Sequence, residues 1–210
     1  MWKKYFPEFL GTFIIVFLGT GAIIVNQQWA EILGQTGISF AFGTGVFLAV
    51  YFFPSAQFNP AVSCALMFSK KMEKTEGIKN IVFQLLGAVT ASGILKIIFP
   101  ENASLGATLP SRSSSQSFIL EIFLTFVLMY GALFISSKEN KLLLAAVLGS
   151  IVFLEAYFGG PISGASMNPA RSIAPAVISK NIGALWIYIF APIIGAILAI
   201  VFWKWQIKKT

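Results

Sequence analysis

Histidine and aspartate are absent from this chain, and cysteine occurs once, as Cys64. That leaves no Ser-His-Asp triad, no cluster of metal ligands and no evident general base, so the sequence argues against an enzyme and against any metal or cofactor. One cysteine cannot close an intramolecular disulfide, and Cys64 reads as a free, buried thiol. Charge is scarce too. Only 11% of residues are charged while 57% are hydrophobic, which is the composition of a membrane protein.

What the chain has instead is long apolar runs. A hydrocarbon core of about 30 Å takes about 20 helical residues to cross, and such runs lie near residues 5–26, 36–53, 78–99, 116–137, 142–158 and 183–204, the fifth being short. The opening Met1-Trp2-Lys3-Lys4 has the look of a signal peptide. Glu8 interrupts its apolar region and no small-residue cleavage site follows, so it reads as a retained first span.

The net charge of +7 would suggest nucleic acid in a soluble protein, but its distribution points to topology. Lys3 and Lys4 precede the first span; Lys70, Lys71, Lys74 and Lys79 follow the second; Lys138 and Lys141 follow the fourth; Lys204, Lys208 and Lys209 close the chain. The alternate connections carry only Arg112, Arg171 and Lys180, with Lys96 the one residue against the pattern. The positive-inside rule places both termini in the cytoplasm of a plasma or inner cell membrane, with lipid as a partner and nucleic acid excluded.

One triplet is written twice, as Asn59-Pro60-Ala61 and Asn168-Pro169-Ala170. Glu121 follows Glu8 by 113 positions, Asn168 follows Asn59 by 109 and Pro192 follows Gln84 by 108, each within similar neighbours. Three markers recurring in order at nearly one offset indicate a duplication, with repeat one at about 1–100 and repeat two at about 114–210 of a single domain. Each half holds three spans and one short helix. An odd number of crossings per half inverts the second half relative to the first. The expected fold is an all-α polytopic membrane protein with six transmembrane helices and two re-entrant half-helices whose triplets meet near the midplane.

Asparagine is a favourable helix cap, and proline is tolerated at the first helical position. Two helix N-termini aimed at one point repel cations, while the Asn59 and Asn168 amides can donate to a neutral oxygen. Glu8 and Glu121, costly by roughly 2.5–3.5 kcal/mol each at a bilayer centre, are suited to accept backbone N–H groups from the two broken loops. Arg171 directly follows the second triplet and should face water.

These residues resemble the aquaporin, or major intrinsic protein, family across essentially the whole chain. Both triplets, Arg171, Glu8, Glu121, Gln84 and Pro192 stand in family order, and Gly160 to Ser172 is similar to the plant nodulin-type branch and its prokaryotic relatives. The resemblance implies a homotetramer with one pore per subunit and an outer selectivity filter at Phe42, Ala156, Ala165 and Arg171. Ala156 stands where strict water channels resemble one another in having histidine, which implies a wider opening for glycerol, urea or metalloid acids. Ser172 stands where glycerol channels have aspartate, and Pro54-Ser55-Ala56-Gln57 replaces the usual glycine-histidine pattern.

The function expected is therefore a passive channel for water and small uncharged solutes that excludes protons and ions. The alternative is a proton-coupled secondary transporter with Glu8, Glu121 or Glu155 as proton sites. Glu155 itself reads three ways: paired with Lys180 or Arg171, lining the outer mouth, or reaching interfacial water. The sequon Asn102-Ala103-Ser104 reads as chance.

Overall fold

The structure, a computed structural model, describes residues 2–136 and 140–208. Within them lie α1 (Phe6–Gln28), α2 (Gly34–Phe52), α3 (Pro60–Phe68), α4 (Lys74–Ile98), α5 (Ser114–Ser136), α6 (Lys141–Ser163), α7 (Pro169–Ser179) and α8 (Leu185–Ile207), after a 3-10 turn at Trp2–Lys4. Met1, Lys138 and Lys209, which carry part of the signal-peptide and charge readings, lie outside the described residues.

Hydrocarbon offers no partners to backbone N–H and C=O groups, so each crossing segment must satisfy them internally as helix. Six helices among the described residues are long and apolar enough to span. The half-helices α3 and α7, of 9 and 11 residues, are not. The fifth span does not stop near residue 158 but continues to Ser163. Pro161 inside the helix forgoes a single hydrogen bond, and α6 terminates at Gly164 with a left-handed φ of 85°. The third span begins at Lys74, earlier than its apolar run, because its first turn is charged and stands beyond the apolar region.

The spans are apolar on every side, so size rather than hydrophobicity marks the inner face. Ala49, Ala88, Ala91, Ala145, Ala191 and Ala196 are wholly buried, while Ile97 and Phe158 stand outward at 80% and 69% exposure. Where helix association is driven by packing and not by water, small residues set how closely axes approach. A Cβ on Gly43 of α2 would stand 2.8 Å from the Gly149 carbonyl oxygen of α6, and one on Gly149 would stand 2.8 Å from the Gly43 carbonyl oxygen.

The two halves repeat this device. Gly87 of α4 presses on the Phe9 carbonyl of α1, and Gly195 of α8 presses on the Ile122 carbonyl of α5, each with no room for a Cβ. α3 and α7 both pack against α4 and α8, which holds the half-helices between the repeats.

Contacts gather Lys4, Lys79, Lys141 and Lys204 at one end. Lys4 pairs with Glu76 at 2.8 Å, Lys79 stands over the Tyr5 ring and Lys141 over the Tyr51 ring, and Lys204 donates to the Ser69 carbonyl at the end of α3. The hydrogen bond to Glu76 raises the Lys4 ammonium above its usual lysine value. At the opposite end Asn102 binds Gln27. The sequon asparagine is buried there, its Oδ1 accepting the Ser104 and Leu105 N–H groups, so it is a loop anchor. Cys64 is free and only half-buried, less enclosed than the sequence suggested.

Gly87→Leu and Gly195→Leu should each lower the stability of the detergent-solubilised protein by about 1–3 kcal/mol or more, because a helix axis must shift to admit the side chain. Gly93 has open space around it, so Gly93→Ala should leave stability unchanged or raise it by about 0.5–1 kcal/mol. Thermal midpoints by circular dichroism check the contrast.

Candidate functional site

Each half-helix starts from an asparagine in extended conformation, with φ of −149° at both Asn59 and Asn168. Asn59 Oδ1 accepts the Ala61 N–H and Asn168 Oδ1 accepts the Ala170 N–H, each at 2.9 Å, while Pro60 and Pro169 occupy the position where no N–H is required. The amide nitrogens reach across. Asn59 Nδ2 donates to the Met167 carbonyl at 2.7 Å, and Asn168 Nδ2 donates to the Phe58 carbonyl at 2.8 Å. A primary amide has two N–H donors, so this reciprocal bond uses one and leaves one on each asparagine. The sequence offered the whole amide to a solute; the structure divides it between cross-linking the loops and facing the cavity.

Phe58 and Met167 are the residues before the triplets, and both hold positive φ, 56° and 54°. That conformation is unfavourable for a bulky side chain and persists only where surroundings enforce it. Two carboxylates do so. Glu8 accepts the Gln57 N–H at 2.9 Å, the Phe58 N–H at 2.7 Å and Gln84 Nε2 at 2.9 Å. Glu121 accepts the Ser166 and Met167 N–H groups, each at 2.8 Å, and the Ser163 hydroxyl at 2.8 Å. Thr12 and Thr125 return hydroxyl bonds to the carbonyls of Glu8 and Glu121 respectively, so the two supports match except in the third donor, an amide from α4 in one and the Ser163 hydroxyl in the other.

A cavity of about 280 Å³ runs along the loops, bordered by Phe42, Asn59, Val152, Ala165, Asn168 and Arg171 among others. Its remaining wall is mostly aliphatic, including Leu128, Leu144 and Leu148. Arg171 is buried, its Nη1 donates to the Gly106 carbonyl at 2.7 Å, and its guanidinium carbon lies 4.9 Å from the Phe42 ring centre. Its Nε has no hydrogen-bond partner. The structure therefore brings Phe42, Ala165 and Arg171 together. Ala156 does not border this cavity; it is buried, and its carbonyl accepts Gln35 Nε2 at 2.6 Å. Val152, one turn earlier, supplies the α6 contribution to the wall.

Glu155 fits none of its three readings. Neither carboxyl oxygen has a hydrogen-bond partner, both are inaccessible, and the residue does not border the cavity.

Sequence reasoning missed the outer connection. Gly106, Thr108 and Asn102 hold Arg171 and its neighbour in place; no spacing or motif distinguished Gly106 and Thr108 within a polar, serine-rich loop, and Asn102 stood out only as part of a chance sequon. It also missed the aliphatic wall, since any apolar residue of a span reads alike.

Comparison with known proteins agrees with this geometry. The family model described as "Major intrinsic protein" matches residues 1–203. Aquaporin NIP3-1 of Arabidopsis thaliana is 37% identical over 208 residues, covering 93% of this chain and 64% of the relative. Nodulin-26 of Glycine max is 32% identical over 201 residues, covering 93% of this chain and 74% of the relative. The X-ray structure of the aquaglyceroporin from Plasmodium falciparum shares the fold, with a TM-score of 0.87 at 22% identity over 95% of this chain and 94% of that one. The match over residues 1–203, on a bundle whose described residues hold six spanning helices, shows that the chain belongs to the major intrinsic protein family and is an integral membrane channel rather than an enzyme.

Proposed function

We propose that this passive channel for water and small uncharged solutes conducts along the cavity beneath the two triplets, with Asn59, Pro60, Ala61, Asn168, Pro169 and Ala170 as its midplane. The observation that carries the reading is the pair of reciprocal amide–carbonyl bonds, 2.7 and 2.8 Å, which fix two helix N-termini against each other and leave one N–H on each asparagine. A helix N-terminus carries roughly half a positive charge. Among the described residues Arg171 is the only charged side chain bordering the cavity. A cation or hydrated proton meets positive potential with no anionic group to offset it, whereas a water or hydroxyl oxygen meets donors.

Phe42, Ala165 and Arg171 form the outer filter in this reading, with Ala156 of α6 behind it, one turn beyond the cavity-lining Val152. The small side chain of Ala165 in the lining, with no bulk at Ala156 behind it, admits solutes larger than water, of the size of glycerol, urea or an uncharged metalloid acid. Glu8 and Glu121 act as loop supports. The proton-coupled transporter is not favoured, because Glu8, Glu121 and Glu155 all stand outside the cavity lining. A homotetramer in a cell membrane, with the basic end and both termini in the cytoplasm, completes the proposal; the clustering of Lys4, Lys79, Lys141 and Lys204 at one end supports the orientation.

Purified protein in liposomes should speed water entry and pass at least one of glycerol, urea and arsenite without proton current, as read by stopped-flow light scattering and a pH-sensitive dye. Flux that saturates and follows an ion gradient would defeat the channel reading. Glu8→Gln and Glu121→Gln each turn an acceptor oxygen into a donor facing backbone N–H groups, so each should destabilise the protein by about 1–3 kcal/mol; the fraction that folds should still conduct, whereas a transporter would lose transport. Ala156→His should extend a side chain from behind the lining into the path and depress glycerol flux more than water flux, and equal loss of both would place position 156 outside the filter.

A further inference from the structure

Three hydroxyl groups join the outer connection to the second triplet. Thr108 Oγ1 donates to Ser172 Oγ at 2.6 Å. Ser172 Oγ and Ser166 Oγ stand 2.6 Å apart. Ser166 Oγ in turn donates to the Asn168 carbonyl at 3.0 Å and accepts the Asn168 N–H at 3.3 Å. All three side chains are buried, and Ser166 also borders the cavity. A hydroxyl carries one proton. Those of Thr108 and Ser166 are committed to Ser172 and to the Asn168 carbonyl, so the proton between the two serines must come from Ser172. The chain therefore runs one way, from Thr108 through Ser172 and Ser166 to the backbone of Asn168.

The same connection also holds Arg171. Gly106, two residues before Thr108, gives its carbonyl to Arg171 Nη1 at 2.7 Å. Asn102 braces this segment through the Leu105 N–H at 2.7 Å and ties it to α1 through Gln27 at 3.1 Å. Thus adjacent residues of the first turn of α7 are gripped from one loop, Arg171 by a carbonyl and Ser172 by a hydroxyl. The first half has no such arrangement. Ser63, which stands 109 positions before Ser172, accepts Gln84 Nε2 at 3.0 Å instead.

We propose that Thr108, Ser172 and Ser166 are positioning residues of the outer constriction, and that their one-way hydroxyl relay fixes how far Arg171 and Asn168 project into the solute path. The proposal rests on conduction along the cavity that those two residues border. Loosening the relay lets the first turn of α7 and the outer loop part, which widens the gap beside Ala165 and favours the larger solute. Ser172 is the middle link, so its loss strands a donor on one side and an acceptor on the other; loss of the Thr108 hydroxyl frees only the loop end.

The test is the ratio of glycerol to water permeability in liposomes of known channel content, measured for the intact protein and for Thr108→Val, Thr108→Ser and Ser172→Ala. Valine keeps the shape of threonine without its hydroxyl, and serine keeps the hydroxyl. Thr108→Val and Ser172→Ala should raise the ratio about threefold or more, the scale of one hydrogen bond, with Ser172→Ala the larger and Thr108→Ser close to the intact protein. A ratio unchanged or lowered in both, with the two fluxes falling together, would make the relay a purely structural contact and overturn the proposal. So would Thr108→Ser raising the ratio as much as Thr108→Val. Where Ser172→Ala fails to insert, Thr108→Val against Thr108→Ser decides. An intact protein that passes neither solute would strike the conduction path itself, a distinct failure.

Discussion

Everything at the centre of this molecule depends on a carboxylate accepting two consecutive backbone N–H groups inside a membrane. A helix that enters halfway and stops leaves backbone polar groups that lipid cannot satisfy. At Gln57-Phe58 and again at Ser166-Met167 those groups are turned onto Glu8 and Glu121. With the N–H groups held, Phe58 and Met167 can adopt left-handed backbone, and their carbonyls then face the opposite loop. Those carbonyls receive the Asn168 and Asn59 amides. The buried acids, the strained residues and the reciprocal caps form one chain of cause. The cost of placing a carboxylate in the bilayer is offset by the three hydrogen bonds each of them accepts, since charge-assisted bonds are the strong ones.

The frame around that centre is set by the close approach of helices. Gly87 on the Phe9 carbonyl and Gly195 on the Ile122 carbonyl bring α4 to α1 and α8 to α5 in equivalent ways. This is what places Glu8 and Glu121, one residue before those carbonyls, beside the loops they support. A side chain at either glycine would move the carboxylate away from its N–H partners, so packing and polar satisfaction are coupled.

How much of this the sequence disclosed follows from what it repeats. Asn59 and Asn168, Glu8 and Glu121, and the segments that begin at Gln84 and Pro192 stand out because each appears twice in similar surroundings, and the fold was legible from them. The end of α6 was not, because its apolar run fades near residue 158 while the helix continues through Pro161 to Ser163. Inner faces were hidden for a different reason: in an all-apolar span no periodicity separates Val152, which borders the cavity, from Leu154, which is exposed. Ala156 shows the limit of counting along a chain, since a position twelve before Asn168 turns its carbonyl to Gln35 of α2 while Val152 takes the wall. Features that occur once, such as Gly106, Thr108 and the unpartnered carboxyl of Glu155, had no second copy to expose them.

The same contrast bears on selectivity. Residues that obey the repeat, Asn59 with Asn168 and Ala56 with Ala165, border the cavity from both sides and present a solute with the same donors and the same small side chains from either direction. They can refuse a proton, but they cannot rank glycerol against water by direction-dependent contacts. Ranking needs residues without a counterpart. Arg171 stands where the first half has Val62, also in the cavity wall, and Ser172 is bound by a loop hydroxyl where Ser63 is bound by Gln84. Duplication supplied the barrier, and the departures from it at the outer end supply the discrimination.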